Sequence, residues 1–351
     1  MAPFITGRFV QGLGAGAISA MSLATVGRAY AHEAKPRILA LLATAWVAPG
    51  LLGPAIAGAI ADLAGWRWVF FALAPIATLG AAIATPPLWR LEPAPASGER
   101  DRTLSALALA VGVGLFLLGL GLEQIALGGI LTVVGLTIGV RSFVDLVPAG
   151  TLRARTGIPA AIAVMGLISF AFFGAEAYVP LALSDVRGQP VAVVGLPLTC
   201  GTLAWTAGTW VQAREAKRRS RRAMIATGLA LLGVGIGLVA LVLSPRAPLL
   251  LAAIAWAIAG VGMGIAYSTT SLVVLEMAAP SQAGAASASL QLSSVLGIAL
   301  GTGVGGAILA GATALGRSTA WAIAALDALA LLGVVLGLAA ARRVPGRPPP
   351  A

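Results

Sequence analysis

Gly12-Leu13-Gly14-Ala15-Gly16 returns as Gly260-Val261-Gly262-Met263-Gly264, and Gly53-Pro54-Ala55-Ile56-Ala57-Gly58 returns as Gly301-Thr302-Gly303-Val304-Gly305-Gly306. The matched glycines, from 12 and 260 through 58 and 306, keep one offset of 248 residues without a gap. All four stretches lie inside long apolar segments, so the chain carries two copies of one helical design. Repeated apolar halves are a signature of membrane transporters.

Composition points the same way. With 59% hydrophobic and 10% charged residues and a mean hydropathy of +0.96, the chain is more apolar than a water-soluble domain can bury. A bilayer crossing takes about 20 mostly apolar residues as a helix. The pattern predicts eleven such helices, over 4–31, 38–61, 68–88, 104–122, 125–140, 158–183, 191–212, 224–243, 249–272, 286–311 and 319–340. The fourth and fifth flank Glu123-Gln124 and are the shortest, which leaves a single interrupted or re-entrant pair as their alternative. The expected fold is an all-α integral membrane bundle with two pseudo-repeated halves.

Lys and Arg gather in cytoplasmic connections, and here their distribution is one-sided. Connections after spans 1, 3, 5 and 7 hold Lys35 and Arg37; Arg90, Arg100 and Arg102; Arg141, Arg153 and Arg155; and six cations from Arg214 to Arg222. Arg342, Arg343 and Arg347 follow the last span, whereas the opposite connections carry only Arg67, Arg187, Arg246 and Arg317. This predicts an amino terminus outside, a carboxyl terminus inside and a multi-pass protein of the cell membrane. The net charge of +11 is then a topology signal directed at the anionic leaflet. It is no sign of nucleic-acid binding, for which a folded basic domain is lacking.

Other classes drop out on the same reading. The start of the chain does not read as a signal peptide. Cys200 is the only cysteine and His32 the only histidine, so no cysteine-based metal site is expected and no cofactor is implied. Gly301 to Gly306 fits the dinucleotide fingerprint, but it lies within an apolar span and lacks the preceding strand that the motif needs. The spans hold no cluster of Asp, Glu, His and Cys suited to an enzyme.

The residues also carry a family resemblance. Arg8-Phe-Val-Gln11-Gly12-Leu-Gly14-Ala-Gly16 resembles the fourth-helix motif of the major facilitator superfamily, and Gly50-Leu-Leu-Gly53-Pro54-Ala-Ile-Ala-Gly58 resembles its fifth-helix antiporter motif. The similarity is greatest to the fourteen-helix drug:proton antiporters, with spans 4 and 5 as the two extra helices between six-helix halves. The resemblance implies that span 1 is the family's fourth helix. The first three, with their acidic site and basic loop, then lie outside this sequence. It divides the chain into 1–89, the rest of the first half; 90–157, a linker with two helices; 158–341, the second half; and 342–351, a tail. It implies proton-coupled efflux of amphipathic drugs or small metabolites by alternating access, with a small-molecule substrate, protons and the lipid bilayer as partners. A non-transporting membrane protein of the same family is the alternative.

Candidate residues follow. Arg8 inside an apolar helix costs about 2.5 to 3.5 kcal/mol on insertion scales. It therefore faces a cavity or protein, with Gln11, Ser19 and Ser22 continuing a polar stripe, or it snorkels to the surface. Gly12, Gly14 and Gly16 thin span 1 for close helix packing. In span 2, Gly50, Gly53, Pro54 and Gly58 supply a bend or a tight contact, read through the resemblance as a gate. Glu176 is either the proton or cation site or an interfacial carboxylate. Asp327, the deepest acid, has either a coupling role or a structural hydrogen bond. Tyr178, Trp205 and Tyr267 are candidate cavity walls.

Overall fold

The computed structural model describes residues 2–31, 33–45, 63–89, 102–122 and 124–346, with 49, 56 and 60 as isolated positions. Among them, eleven helices of at least eleven residues carry the fold. They are α1 (Ala2–Ala29), α2 (Lys35–Ala45), α3 (Trp66–Trp89), α4 (Thr103–Gly121), α5 (Ile125–Leu146) and α6 (Ile158–Glu176). The series continues with α7 (Leu196–Glu215), α8 (Arg221–Val242), α9 (Leu250–Met277), α10 (Ala283–Ala314) and α11 (Thr319–Ala341). Eight segments of the described chain are long and apolar enough to cross a membrane. α7 is not among them, because Thr199, Thr202, Thr206, Thr209, Gln212, Arg214 and Glu215 dilute its hydropathy.

The repeat read from glycines is also a repeat of helix boundaries. α1 runs from 2 to 29 and α9 from 250 to 277, while α2 starts at 35 and α10 at 283. All three boundaries are again 248 residues apart.

α4 and α5 are two helices, each long and apolar enough to cross a membrane by itself. Glycines explain their contact. A Cβ on Gly112 would lie 2.5 Å from the Gly139 nitrogen, one on Gly119 2.5 Å from the Thr132 nitrogen, and one on Gly135 2.3 Å from the Phe116 nitrogen. The falling partner numbers make the pair antiparallel, with backbones so close that no side chain fits between.

Helices α6 to α11 enclose the main core, in which Ile162, Met165, Ile168, Phe172, Ile225, Leu229, Leu232, Ile236, Trp256 and Met263 are buried. Glycine again sets the spacing. Cβ atoms on Gly260 and Gly264 would strike the backbone oxygens of Gly201 and Trp205 on α7, and one on Gly262 the oxygen of Gly228 on α8. The repeat-mates Gly12, Gly14 and Gly16 have nothing within 4 Å among the described residues. None of the described side chains of α3 is buried. α8 and α11 begin at serine caps, Ser220 accepting from the Ala223 nitrogen and Ser318 from that of Trp321.

Connections that the charge pattern assigned to one side do meet at one end of the bundle. Arg221 pairs with Glu276, Arg222 Nε donates to the Val344 oxygen and the Gly157 nitrogen donates to the Arg343 oxygen. At the other end, Arg187 spans the connections after α6 and α8. Its guanidinium donates to the backbone oxygens of Val242 (2.7 Å), Ser244 (3.0 Å), Pro245 (3.4 Å) and Ala247 (2.9 Å).

Candidate functional site

The site grows from two glycines. Gly201 on α7 and Gly260 on α9 let these helices touch, and a Cβ on Gly201 would lie 2.4 Å from Cδ1 of Trp256. The Trp256 indole therefore lies against the α7 backbone, fully buried. Phe172 stacks on it at 5.1 Å between ring centroids with planes 28° apart. Trp205 meets Phe172 edge-on at 5.5 Å, Phe173 at 5.9 Å and Tyr267 at 5.7 Å. Five aromatic rings from α6, α7 and α9 thus form one continuous cluster, in edge-on, tilted and offset arrangements that aromatic quadrupoles favour.

One carboxylate touches this cluster. Trp256 Nε1 donates to Glu176 Oε1 at 3.3 Å, so the last residue of α6 is tied to the most buried ring of α9. Just beyond Glu176 the helix loses regularity at Ala177-Tyr178 and resumes as Val179–Leu181 followed by a π-helical turn, Ala182–Val186. Such π turns are frequent at functional sites. Tyr178 faces the other way: its hydroxyl donates to the Thr302 oxygen at 2.7 Å and its ring covers Gly305 on α10. It is a brace between helices.

A polar layer accompanies the rings. Ser169 and Ser294 share a hydrogen bond of 2.8 Å across α6 and α10, and Ser293 Oγ donates to the Ile162 oxygen at 2.8 Å. Toward the Arg-rich end, Ser268 donates to Thr209 at 3.2 Å. Gln212, wholly buried, has no hydrogen-bond partner on either side-chain atom among the described residues. Helix α2 packs on α7 and α9 at this end. Trp210 Nε1 donates to Thr44 Oγ1 (2.9 Å), Thr206 Oγ1 to the Ala43 oxygen (3.4 Å) and Lys35 Nζ to the Leu275 oxygen (3.4 Å). Val26, Leu39, Ala216, Leu272 and Leu275 form an apolar plug at the same level.

The structure thus joins Glu176, Trp205 and Tyr267, and it adds Phe172, Phe173 and Trp256. Asp327 is apart from the hydrogen-bonded set: it is 2% exposed on α11 and its Oδ2 has no partner among the described residues. Gln11 and Ser22 are on exposed positions of α1, and Ser22 Oγ donates to its own helix at the Ile18 oxygen, 2.7 Å away. The side chains of Arg8 and Ser19, and the residues Gly50, Gly53, Pro54 and Gly58, lie outside the described residues. The missed rings had one sequence signal. Trp256 precedes the glycine triplet at 260, 262 and 264, one turn along the face that packs on α7.

The family model of the Major Facilitator Superfamily matches residues 1–302. The chain belongs to this superfamily. Among curated proteins, it is 26% identical to the methylenomycin A resistance protein of Bacillus subtilis, over 96% of this chain and 73% of that protein. It is 28% identical to the multidrug resistance protein Stp of Mycobacterium tuberculosis, over 88% of this chain and 59% of that protein. The chain therefore spans less than two thirds of the second relative. Among solved structures, the human organic anion transporter MFSD10 aligns over 92% of this chain and 82% of its own at 16% identity, with a TM-score of 0.45. The chain is thus a multi-pass membrane protein of a transporter family whose similar members include drug-resistance proteins.

Proposed function

We propose that the protein is a proton-coupled secondary transporter that exports amphipathic small molecules across the cell membrane, with the basic end of the bundle cytoplasmic. The observation that carries this reading is Glu176 bonded to Trp256 at the edge of a five-ring aromatic cluster. An apolar aromatic wall accepts many flat or greasy compounds, while a single carboxylate reads their charge through ion pairing and is able to take a proton in their place. Cations also gain from the ring faces. The halves, α1–α3 and α6–α11, are proposed to rock about this level, with the α4–α5 hairpin as an inserted linker. On this reading the contacts of Lys35, Thr44 and Trp210 belong to a state closed at the cytoplasmic end.

The test is flux of tetraphenylphosphonium, a lipophilic cation, in everted vesicles with an imposed proton gradient. Glu176→Gln lowers cation flux at least tenfold, and Glu176→Asp keeps a measurable part of it. Unchanged flux in Glu176→Gln removes the assigned role from this carboxylate. Absence of gradient-driven flux of any amphipathic probe in the wild type removes the transport reading itself.

A further inference from the structure

A cavity of about 330 Å³ opens where α5 ends, lined by Val144, Val147, Pro148, Leu152, Arg153 and Arg155. Its size is at the lower end of small-molecule sites. The wall is built with care. Between α5 and α6 the chain passes through three residues with left-handed φ, Gly150 (+91°), Ala154 (+46°) and Gly157 (+98°), around a short 3-10 turn, Thr151–Arg153. Ala154 is the only described non-glycine residue with positive φ, a conformation that a side chain adopts at a cost. The loop is fastened at three points. Thr151 Oγ1 donates to the Pro148 oxygen (2.7 Å), Arg343 Nη1 to the Arg153 oxygen (2.5 Å), and the Gly157 nitrogen to the Arg343 oxygen (3.2 Å).

This frame holds two guanidinium groups with no acidic partner among the described residues. The stem of Arg155 lies over Gly150, where a Cβ would be 2.4 Å from Arg155 Cδ. Among the described residues neither the Arg153 nor the Arg155 side chain makes a hydrogen bond, and the ion pairs Arg219–Glu215 and Arg221–Glu276 lie elsewhere. Asp145, on the last turn of α5, pairs with neither. Beside the cations, Val144 is 46% and Leu152 60% exposed. Free arginines next to exposed aliphatic side chains, at the basic end of a membrane-crossing helix, match a ligand with a phosphate and a fatty tail. A soluble anion would gain nothing from Val144 and Leu152.

We infer that this cavity binds the headgroup of an anionic phospholipid, with Arg153 and Arg155 on the phosphate and Val144 and Leu152 against the first acyl carbons. Arginine pairs with phosphate through two parallel hydrogen bonds, and basic pockets at the ends of membrane helices take acidic headgroups. The bound lipid then sits on the connection between α5 and α6, whose backbone Arg343 beyond α11 also holds.

The experiment is lipid titration of the purified protein, read by native mass spectrometry and by melting temperature, with phosphatidylglycerol against phosphatidylcholine. The wild type retains phosphatidylglycerol and is stabilised by it. Arg153→Gln/Arg155→Gln weakens that binding about twenty-fivefold, two contacts of about fivefold each. Lys217→Gln/Arg218→Gln, which removes equal charge from the exposed connection after α7, changes it less than about twofold. Equal loss in both double variants overturns the site in favour of diffuse surface attraction. Equal stabilisation by the two lipids overturns it as well, and so does protection by glycerol phosphate as strong as that by the lipid, which assigns the cavity to a soluble anion. If the Arg153/Arg155 variant does not fold, a photoreactive phosphatidylglycerol on the wild type decides. Label within 144–155 supports the site, and label confined to other segments overturns it.

Discussion

Gln212 is the residue whose surroundings make least sense for a static protein. Its amide is fully buried, one turn beyond the Thr209 that meets Ser268 on α9, and neither its oxygen nor its nitrogen is satisfied among the described residues. A buried polar group without a partner costs about 1 to 3 kcal/mol. That cost disappears if water reaches the amide whenever the plug of Val26, Leu39, Leu272 and Leu275 parts. Gln212→Leu is therefore expected to raise the melting temperature while slowing transport, because it stabilises the closed state alone. A thermal-shift curve beside a flux assay checks both signs; a stabilised variant with normal flux would mean that this interface does not open.

Helix contacts set by glycine make predictions at the next scale. Gly260→Ala places a methyl 2.3 Å from the Gly201 oxygen, forcing α7 and α9 apart at a cost of about 1 to 3 kcal/mol. The separation also loosens the Trp256 indole, so the melting point and the tryptophan emission shift together. Gly12→Ala, its repeat-mate, meets open space among the described residues and in this 351-residue chain is expected to be neutral or to gain up to about 1 kcal/mol from helix propensity. The Arg221–Glu276 pair ties α8 to α9 through two bonds, of 2.6 and 3.1 Å, with both side chains at most 7% exposed. Glu276→Leu alone leaves a buried guanidinium unpaired and costs about 3 to 5 kcal/mol, whereas Arg221→Leu/Glu276→Leu recovers much of that loss. Denaturation of the two variants in one detergent tests the difference.

Across the whole molecule, closure at the basic end is the feature that the proposed alternating access must undo. In a Cys200→Ser background, Thr44→Cys/Trp210→Cys joined by a short bifunctional thiol reagent is expected to abolish flux until the link is cleaved. Flux that survives complete linking would show that α2 and α7 do not separate. The architecture behind this prediction was legible because lipid demands an apolar run wherever a helix crosses. Spans near 104–122, 224–243 and 319–340 agree with α4, α8 and α11 within a few residues, and the glycine offset became an offset of helix boundaries. The site was legible only in part. Glu176, Trp205 and Tyr267 stood out as polar or aromatic residues within apolar spans. Phe172 and Trp256 look like ordinary core residues until Gly201 and Gly260 fix the distance between α7 and α9. Arg221 and Glu276 are 55 residues apart, and nothing local to either names the other.

The lengths of the paired helices carry one more consequence. α1 and α9 have 28 residues and α10 has 32, or about 42 and 48 Å at 1.5 Å per residue, against a hydrocarbon layer of about 30 Å. Such helices must lean or protrude, and in a thinner bilayer they lean further. α9 carries the oxygen that receives Lys35, and α10 carries Ser289, which donates to the Leu146 oxygen at the end of α5. Bilayer thickness therefore acts on this molecule as a mechanical load, transmitted by its longest helices to the contacts that hold the basic end shut.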